Sequence, residues 1–534
     1  MQAMLKRLPV IRLGACVAAV IACFVLATPR SGGPDEPSHM VASAALVRGE
    51  RVGAPHDTDP ALRVFRVPAM VGNPDPGCWA FQPEVAVGCA TLTSDSTVLV
   101  TSPTTSANYP PWTYVLPGLA SFVPTPTGYA YLARLLMAAV PLCLVVGALL
   151  RVRSSNRGAG AAVLLGLTPI AWFSMSIVNP SAVAIAGGLA LWTALLVPIG
   201  PQRRFDALLL AGWTATLVAR RDGPLWALLI VSTACLTLSI RPWSLLRRNP
   251  TPLNWLFLGA AVVAIATTFV TGLSGVNLLI SFAPIGLLLL DRAMSRYSAT
   301  ADRTSQRRQL WGWMLVGALA VLAAVRVSPG GFSPSVWLLV ASNSGSHLRQ
   351  LVGVLGWLDA PVPDLALFLF WIGLGALAAL AFLDDSVIAL GATAAVAAMV
   401  VTAWILEIGQ GATYGQYWQG RYSMPFFVGI PLLLASRRDI SRRSSEGLGN
   451  VTGADALGRL ALPIGAIAWL VMNIGFVGAL HRWGVGVGGT WAPQRWNTWG
   501  APLHPIVLIL AHVAASAGLL LIVLRPASEQ IATE

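Results

Sequence analysis

The chain is 534 residues long, 55% hydrophobic and only 11% charged, with a mean hydropathy of +0.69, which excludes a water-soluble protein with an ordinary surface and makes lipid its main solvent. A formal net charge of +13 would suggest nucleic acid in a soluble protein. Here the basic residues fall in short clusters between apolar runs, where membrane orientation accounts for them, so no nucleic-acid partner is expected.

In chain order, the apolar segment 8–28 follows Lys6 and Arg7. It shares a basic start and apolar core with a signal peptide, but no small-x-small cleavage site follows, and at ~20 residues it is long enough to span as a retained helix with its N-terminus inside. Further apolar segments occur at about 128–150, 159–177, 181–199, 207–219, 225–240, 253–271, 276–290, 310–328, 365–383, 387–406, 422–436, 460–480 and 504–524. The pattern predicts an all-α membrane protein of about fourteen transmembrane helices. Arginines at 151, 153 and 157, at 203 and 204, at 241, 247 and 248, from 292 to 308 and from 437 to 443 all fall on the side of the N-terminus. That is the positive-inside pattern of cytoplasmic loops, and it puts both termini in the cytoplasm of a bacterial inner membrane.

The organisation expected is an N-terminal helix (1–28), a large first extracytoplasmic loop (29–127), a core bundle (128–436) with outer loops 329–364 and 407–421, and a C-terminal helix pair (437–534) with outer loop 481–503. The outer pieces are rich in Trp, Tyr, Pro, Gly and His. Aromatic anchoring at the interface explains part of that, but a first loop this long is usually functional. Within it, Cys78 and Cys89 are disulfide candidates if the loop faces an oxidising compartment, with two unpaired thiols as the alternative.

The sharpest local feature is Pro34-Asp35-Glu36-Pro37-Ser38-His39. Pro37 suits the first position of a helix that Asp35 or Glu36 caps and Gly49 ends. Met40, Val41, Ala44 and Val47 would share a face lying along the membrane, holding two acids and the His39 imidazole at the lipid–water boundary. A capping acid pair beside a solvated histidine explains the same residues. Elsewhere, Arg220 and Arg221 beside Asp222, and Arg421 within Gln419-Gly420-Arg421-Tyr422, are arginines on the outer face. They run against the charge trend and suit a phosphate, although the first cluster can also be a self-paired helix end. Tyr109, Trp112 and Tyr114 can stack on a sugar or form an aromatic belt. Asn179 can bond a ligand or merely break a helix before Pro180, and Asp359 can orient an acceptor or hold a turn.

Taken together, Pro34 to His39, the segment from Cys78 to Cys89, Tyr109-Pro110-Pro111-Trp112-Thr113-Tyr114, Ser174 to Ser181, Gly356-Trp357-Leu358-Asp359 and Gln419 to Tyr422 before Pro425 resemble, in that order, an uncharacterised family of polytopic bacterial membrane proteins common in actinobacteria. That family is grouped with the GT-C superfamily of integral-membrane glycosyltransferases. The resemblance implies a GT-C-like bundle that moves a sugar from a polyprenyl-phosphate donor to a cell-envelope glycan or glycolipid acceptor on the outer face. It implies a loop-one carboxylate, Asp35 or Glu36, as general base and inversion at the anomeric carbon. Some members of the superfamily use a divalent cation near that acid; Asp35, Glu36 and His39 would make an incomplete shell, and no metal site is expected.

A lipid or glycolipid transporter is the rival reading, and a noncatalytic envelope-assembly protein a third. A transporter should carry interrupted helix pairs and ionisable residues near the bilayer centre. This chain instead concentrates acids in the first loop, with Asp35, Glu36, Asp57, Asp59, Asp75, Glu84 and Asp95, a placement that favours interfacial chemistry.

Overall fold

The computed structural model describes residues 8–71, 75–90, 94–197, 207–238, 334–414, 418–436, 453–496 and 499–525. The expected spans at 253–271, 276–290 and 310–328, and the arginine clusters at 241–248, 292–308 and 437–443, lie outside the described residues.

In chain order the helices are α1 (Leu8–Ala27), α2 (Glu36–Leu46), α3 (Val115–Leu119), α4 (Pro126–Arg153), α5 (Arg157–Gly166), α6 (Pro169–Ser174), α7 (Ser181–Leu196), α8 (Ala207–Ala219) and α9 (Gly223–Thr237). They continue as α10 (Pro334–Ser342), α11 (Ser344–Gly353), α12 (Asp364–Asp384), α13 (Ser386–Tyr414), α14 (Gly420–Phe427), α15 (Ile430–Leu434), α16 (Gly453–Val485) and α17 (Pro505–Leu524). Among the described residues six of these, α1, α4, α12, α13, α16 and α17, are long and apolar enough to cross a membrane. Two segments expected as single spans are broken instead. Residues 159–177 divide into α5 and α6, because Pro169 opens a new helix, and 422–436 divides into α14 and α15, with Pro425 inside the first and Pro431 opening the second. A proline removes one backbone donor and clashes with the preceding turn, which is reason enough for both breaks.

At the centre lies α7, every residue of which is buried. It is apolar all round, the composition of a helix that faces protein on every side, and α4, α8, α9 and α14 surround it. At the C-terminal pair, His512 of α17 stacks on Phe476 of α16 at 4.1 Å, with Phe24 of α1 edge-on to both rings at 4.9 and 5.4 Å. His512 Nδ1 lies 2.9 Å from Asn473 Oδ1, and the Asn473 amide donates to Ser516 Oγ at 3.1 Å. These hydrogen bonds tie α16 to α17 where lipid offers no partner, and the Phe24 ring packs α1 against the pair.

The first loop folds around α2. Strands β1 (Ala54–Pro55), β2 (Arg63–Pro68) and β3 (Leu99–Thr104) form an antiparallel sheet in the order β1-β2-β3, with Phe65 opposite Ser102 and Val67 opposite Val100. Alternation along β2 buries Phe65 and Val67 and exposes Arg66, and the buried pair packs on Met40, Val41, Ala44 and Tyr129. The helix itself begins at Glu36, with Asp35 at the capping position but no capping bond from its side chain. It is enclosed by protein on most sides, since Glu36, His39, Met40, Val41, Ala42, Ser43, Ala44 and Ala45 are all buried.

Candidate functional site

The two acids at the start of α2 face different partners. Glu36 is fully buried, and both its oxygens meet Arg134 of α4, Oε1 to Nε at 2.8 Å and Oε2 to Nη2 at 2.7 Å. The backbone amides of Gly33 and Val178 also donate to this carboxylate at 3.1 and 3.0 Å. The remaining donors of Arg134 reach the carbonyls of Val25, Thr28 and Pro29 at 3.2, 2.7 and 2.6 Å. Every N–H of the guanidinium is engaged, and the carboxylate accepts four hydrogen bonds. A buried ion pair is tolerated when its donors and acceptors are met in this way, and it leaves Glu36 no lone pair directed at a substrate.

Asp35 is the open member. Its side chain is 41% exposed, its backbone is left-handed at φ 62° and ψ 3°, and its Oδ2 accepts from Arg421 Nη2 at 2.6 Å. Arg421, on the first turn of α14, is 3% exposed. Its Nη2 also lies 3.3 Å from the Tyr422 hydroxyl, while its Nε and Nη1 are buried without a hydrogen-bond partner among the described residues. The Tyr422 ring lies under the Arg220 guanidinium at 4.3 Å, and Tyr109 lies 5.7 Å from it on a second side. Arg220 Nε donates to Asp222 at 2.9 Å and its Nη1 donates to Ser181 Oγ at 3.0 Å.

His39, one turn into α2, completes the group. Its Nδ1 sits 2.7 Å from the Tyr114 hydroxyl, and Tyr109 packs edge-on at 5.1 Å. Burial pushes the imidazole down to about 3, further than Asp35 draws it up, so it is neutral at pH 7. Burial likewise drives the Tyr114 phenol well above its usual range. Backbone packing fixes the α14 side of the site. A Cβ on Gly420 would fall 2.7 Å from the Gln350 carbonyl carbon and 2.9 Å from the Leu351 nitrogen, and the Gly420 amide donates to Gln350 Oε1 at 2.7 Å. Only glycine permits that approach.

Of the candidate residues, Asp35, His39, Tyr109, Arg220, Arg421 and Tyr422 come together from the first loop, the α8–α9 turn and the start of α14. Gln419 adjoins them in sequence, its Oε1 buried and without a bond among the described residues. Arg221 is exposed beside the α8–α9 turn. Asn179 is occupied, its amide donating to the Pro34 carbonyl at 3.2 Å and its Oδ1 accepting from the Ser181 amide at 2.9 Å, so it positions the segment before Asp35. Asp359 belongs to another cluster. It is buried against Arg482 at 2.8 Å, and burial pushes its carboxyl up to about 6 against the pull of that arginine. Arg482 also donates to the carbonyls of Trp79, Gln82 and Val85 at 3.0, 3.0 and 2.8 Å, inside the loop that the Cys78–Cys89 disulfide closes.

Asp35, Glu36 and His39 do not converge on a common point for a cation: Glu36 is committed to Arg134 and His39 Nδ1 faces Tyr114. Among the described residues no group of three His, Cys, Asp or Glu stands close enough to hold a metal ion. Sequence reasoning missed Arg134, Arg482 and Ser181. The first two are arginines within long apolar helices, where a charge always requires a partner, and that was the available signal.

A search of curated proteins finds no match. Among solved structures, the crystal structure of the Archaeoglobus fulgidus oligosaccharyltransferase complex with zinc and sulfate is similar at a TM-score of 0.36 and 13% identity, over 90% of this chain and 54% of that one. The chain thus spans about half the length of that protein, and a likeness this distant assigns nothing to individual residues. Residues 19–430 match the family described as "Predicted membrane protein (DUF2142)". With a long first loop folded over a buried helical bundle and a match across more than three quarters of its length, the chain belongs to the DUF2142 family of membrane proteins.

Proposed function

We propose that this protein is a GT-C-like membrane glycosyltransferase that transfers a sugar from a polyprenyl-phosphate donor to a cell-envelope acceptor on the extracytoplasmic face, with Asp35 as general base. The observation that carries this reading is the pairing of a half-exposed carboxylate with a buried arginine that keeps unused donors. In the reaction the acceptor hydroxyl attacks the anomeric carbon and gives its proton to Asp35, while the bond from that carbon to the phosphate oxygen breaks and its electron pair leaves with the lipid phosphate. Displacement from the opposite face inverts the anomeric centre. Arg421 and Arg220 are the guanidinium groups that, in this reading, meet the charge on the departing phosphate. Neutral His39 and Tyr114 hold the helix start beside the base, and the partly buried Tyr109 offers a ring to a sugar.

The test is turnover of radiolabelled polyprenyl-phosphate sugars by the full-length protein in nanodiscs. Wild type converts at least one donor and Asp35→Asn, at equal folded yield, does not. Full turnover by Asp35→Asn, or none by wild type with any donor across the panel, overturns the reading.

A further inference from the structure

We infer that Arg421 is an anion seat that the Asp35 carboxylate occupies in the free protein, and that a phosphate ester entering the seat displaces Asp35 and so frees it. This rests on the reading above and adds a regulation of the same site: the base is masked until the phosphate-bearing ligand arrives.

Three observations carry it. The first is the donor count on the buried arginines. Arg134 uses every N–H, and Arg482 bonds four carbonyls and a carboxylate through all three of its nitrogens. Arg421 is nearly as buried as these but, among the described residues, bonds through Nη2 alone. Leaving donors of a buried guanidinium unmet is costly, so Nε and Nη1 call for an acceptor with more than one oxygen.

The second is how loosely Asp35 is held. Its carboxylate caps no helix amide, it is 41% exposed, and its backbone adopts a left-handed conformation that an L-residue reaches only at a cost. A partly solvated ion pair is weak, whereas a phosphate can take two N–H groups of the guanidinium at once.

The third is the charge balance. Asp222 compensates Arg220, and Asp35 compensates Arg421. When Asp35 leaves, the seat keeps one positive charge for the incoming anion, next to a second guanidinium stacked on the shared Tyr422 ring. The order that follows is phosphate ester first and acceptor hydroxyl second.

The experiment is equilibrium binding of farnesyl phosphate, inorganic phosphate and farnesol to the full-length protein in detergent, for wild type, Asp35→Asn, Asp35→Gly and Arg421→Ala. Asparagine and glycine both tolerate positive φ, so these variants keep the turn, and thermal unfolding checks that they do. Removing the internal competitor makes both Asp35 variants bind farnesyl phosphate tighter than wild type by about fivefold, the factor set by a partly exposed ion pair. Arg421→Ala abolishes binding, and farnesol does not bind. An equal gain for inorganic phosphate supports the seat and assigns it to the phosphate group alone; a gain confined to farnesyl phosphate supports it and adds the prenyl chain. Wild-type binding that needs Arg421 but is unchanged or weakened in both Asp35 variants overturns the masking and leaves the proposed function standing. Absence of binding in wild type and in both Asp35 variants overturns both.

Discussion

Asp35 and Glu36 are adjacent in the chain and turn away from each other, Glu36 inward to Arg134 and Asp35 to Arg421 at the opening of the site. Glu36 is the first helical residue, whereas Asp35 precedes it in a left-handed backbone conformation, and that turn separates a structural carboxylate from one that can meet a ligand.

The division of labour has a direct consequence for the inner pair. Glu36→Gln leaves the Arg134 guanidinium buried without its counter-charge, and breaking a buried pair in this way costs about 3–5 kcal/mol. The expected result is a large fall in unfolding temperature and in monodisperse yield, while Asp35→Asn stays near wild type on both. Equal stability of the two variants would show that Glu36 is not the lock described.

For the stacked cation, Arg220→Lys keeps the charge but loses the planar fork that bonds Asp222 and Ser181 and covers Tyr422. A desolvated cation–π contact contributes about 1–2 kcal/mol, so turnover of a prenyl-phosphate sugar should drop about tenfold with the protein still folded. Steady-state rates at saturating acceptor decide this.

His39 sets a pH dependence. Its folded-state value is about 3, below the value near 6.5 of an exposed imidazole. The unfolded chain therefore takes up the proton first; the stabilisation is complete above about pH 6.5 and is lost as pH falls from there toward 3. Between pH 6.5 and 4.5 the loss from this residue is on the order of 2 kcal/mol. Thermal unfolding across that window should show a slope that His39→Gln flattens; an unchanged slope would assign it to other groups.

The α14 approach is equally exposed to test. Gly420→Ala must push the helix start off Gln350 and Leu351, which moves Arg421 and Tyr422 with it. Overpacking of this kind costs about 1–3 kcal/mol, and displacement of Arg421 should abolish phosphate binding before it unfolds the protein. Retained binding would mean that α14 can shift without consequence for the site.

The long apolar helices were legible in the sequence because hydropathy over about twenty residues is a local property. The breaks at Pro169 and Pro431 were marked by the prolines themselves, but an apolar run on both sides of each concealed them. At the site, the residue types were legible and their pairing was not. Whether Asp35 or Glu36 is free depends on Arg134, 98 residues beyond Glu36, and the role of Asp359 depends on Arg482, separated from it by 123 residues. No local pattern encodes partners that far apart. Asn179 shows the converse: Asn-Pro signals a turn wherever it occurs, and only its bond to the Pro34 carbonyl reveals that the turn supports the segment before Asp35.

Arg482 lies near the end of α16, beyond the stretch that matches the family, yet the loop it grips begins near residue 79. During synthesis that loop, with its two cysteines, is made some four hundred residues before the arginine that fastens it. The first loop therefore reaches its final form late, as α16 takes its place, and truncation ahead of α16 would leave the disulfide-closed loop with no clasp. Maturation of this loop is in this sense timed by a helix made some four hundred residues later.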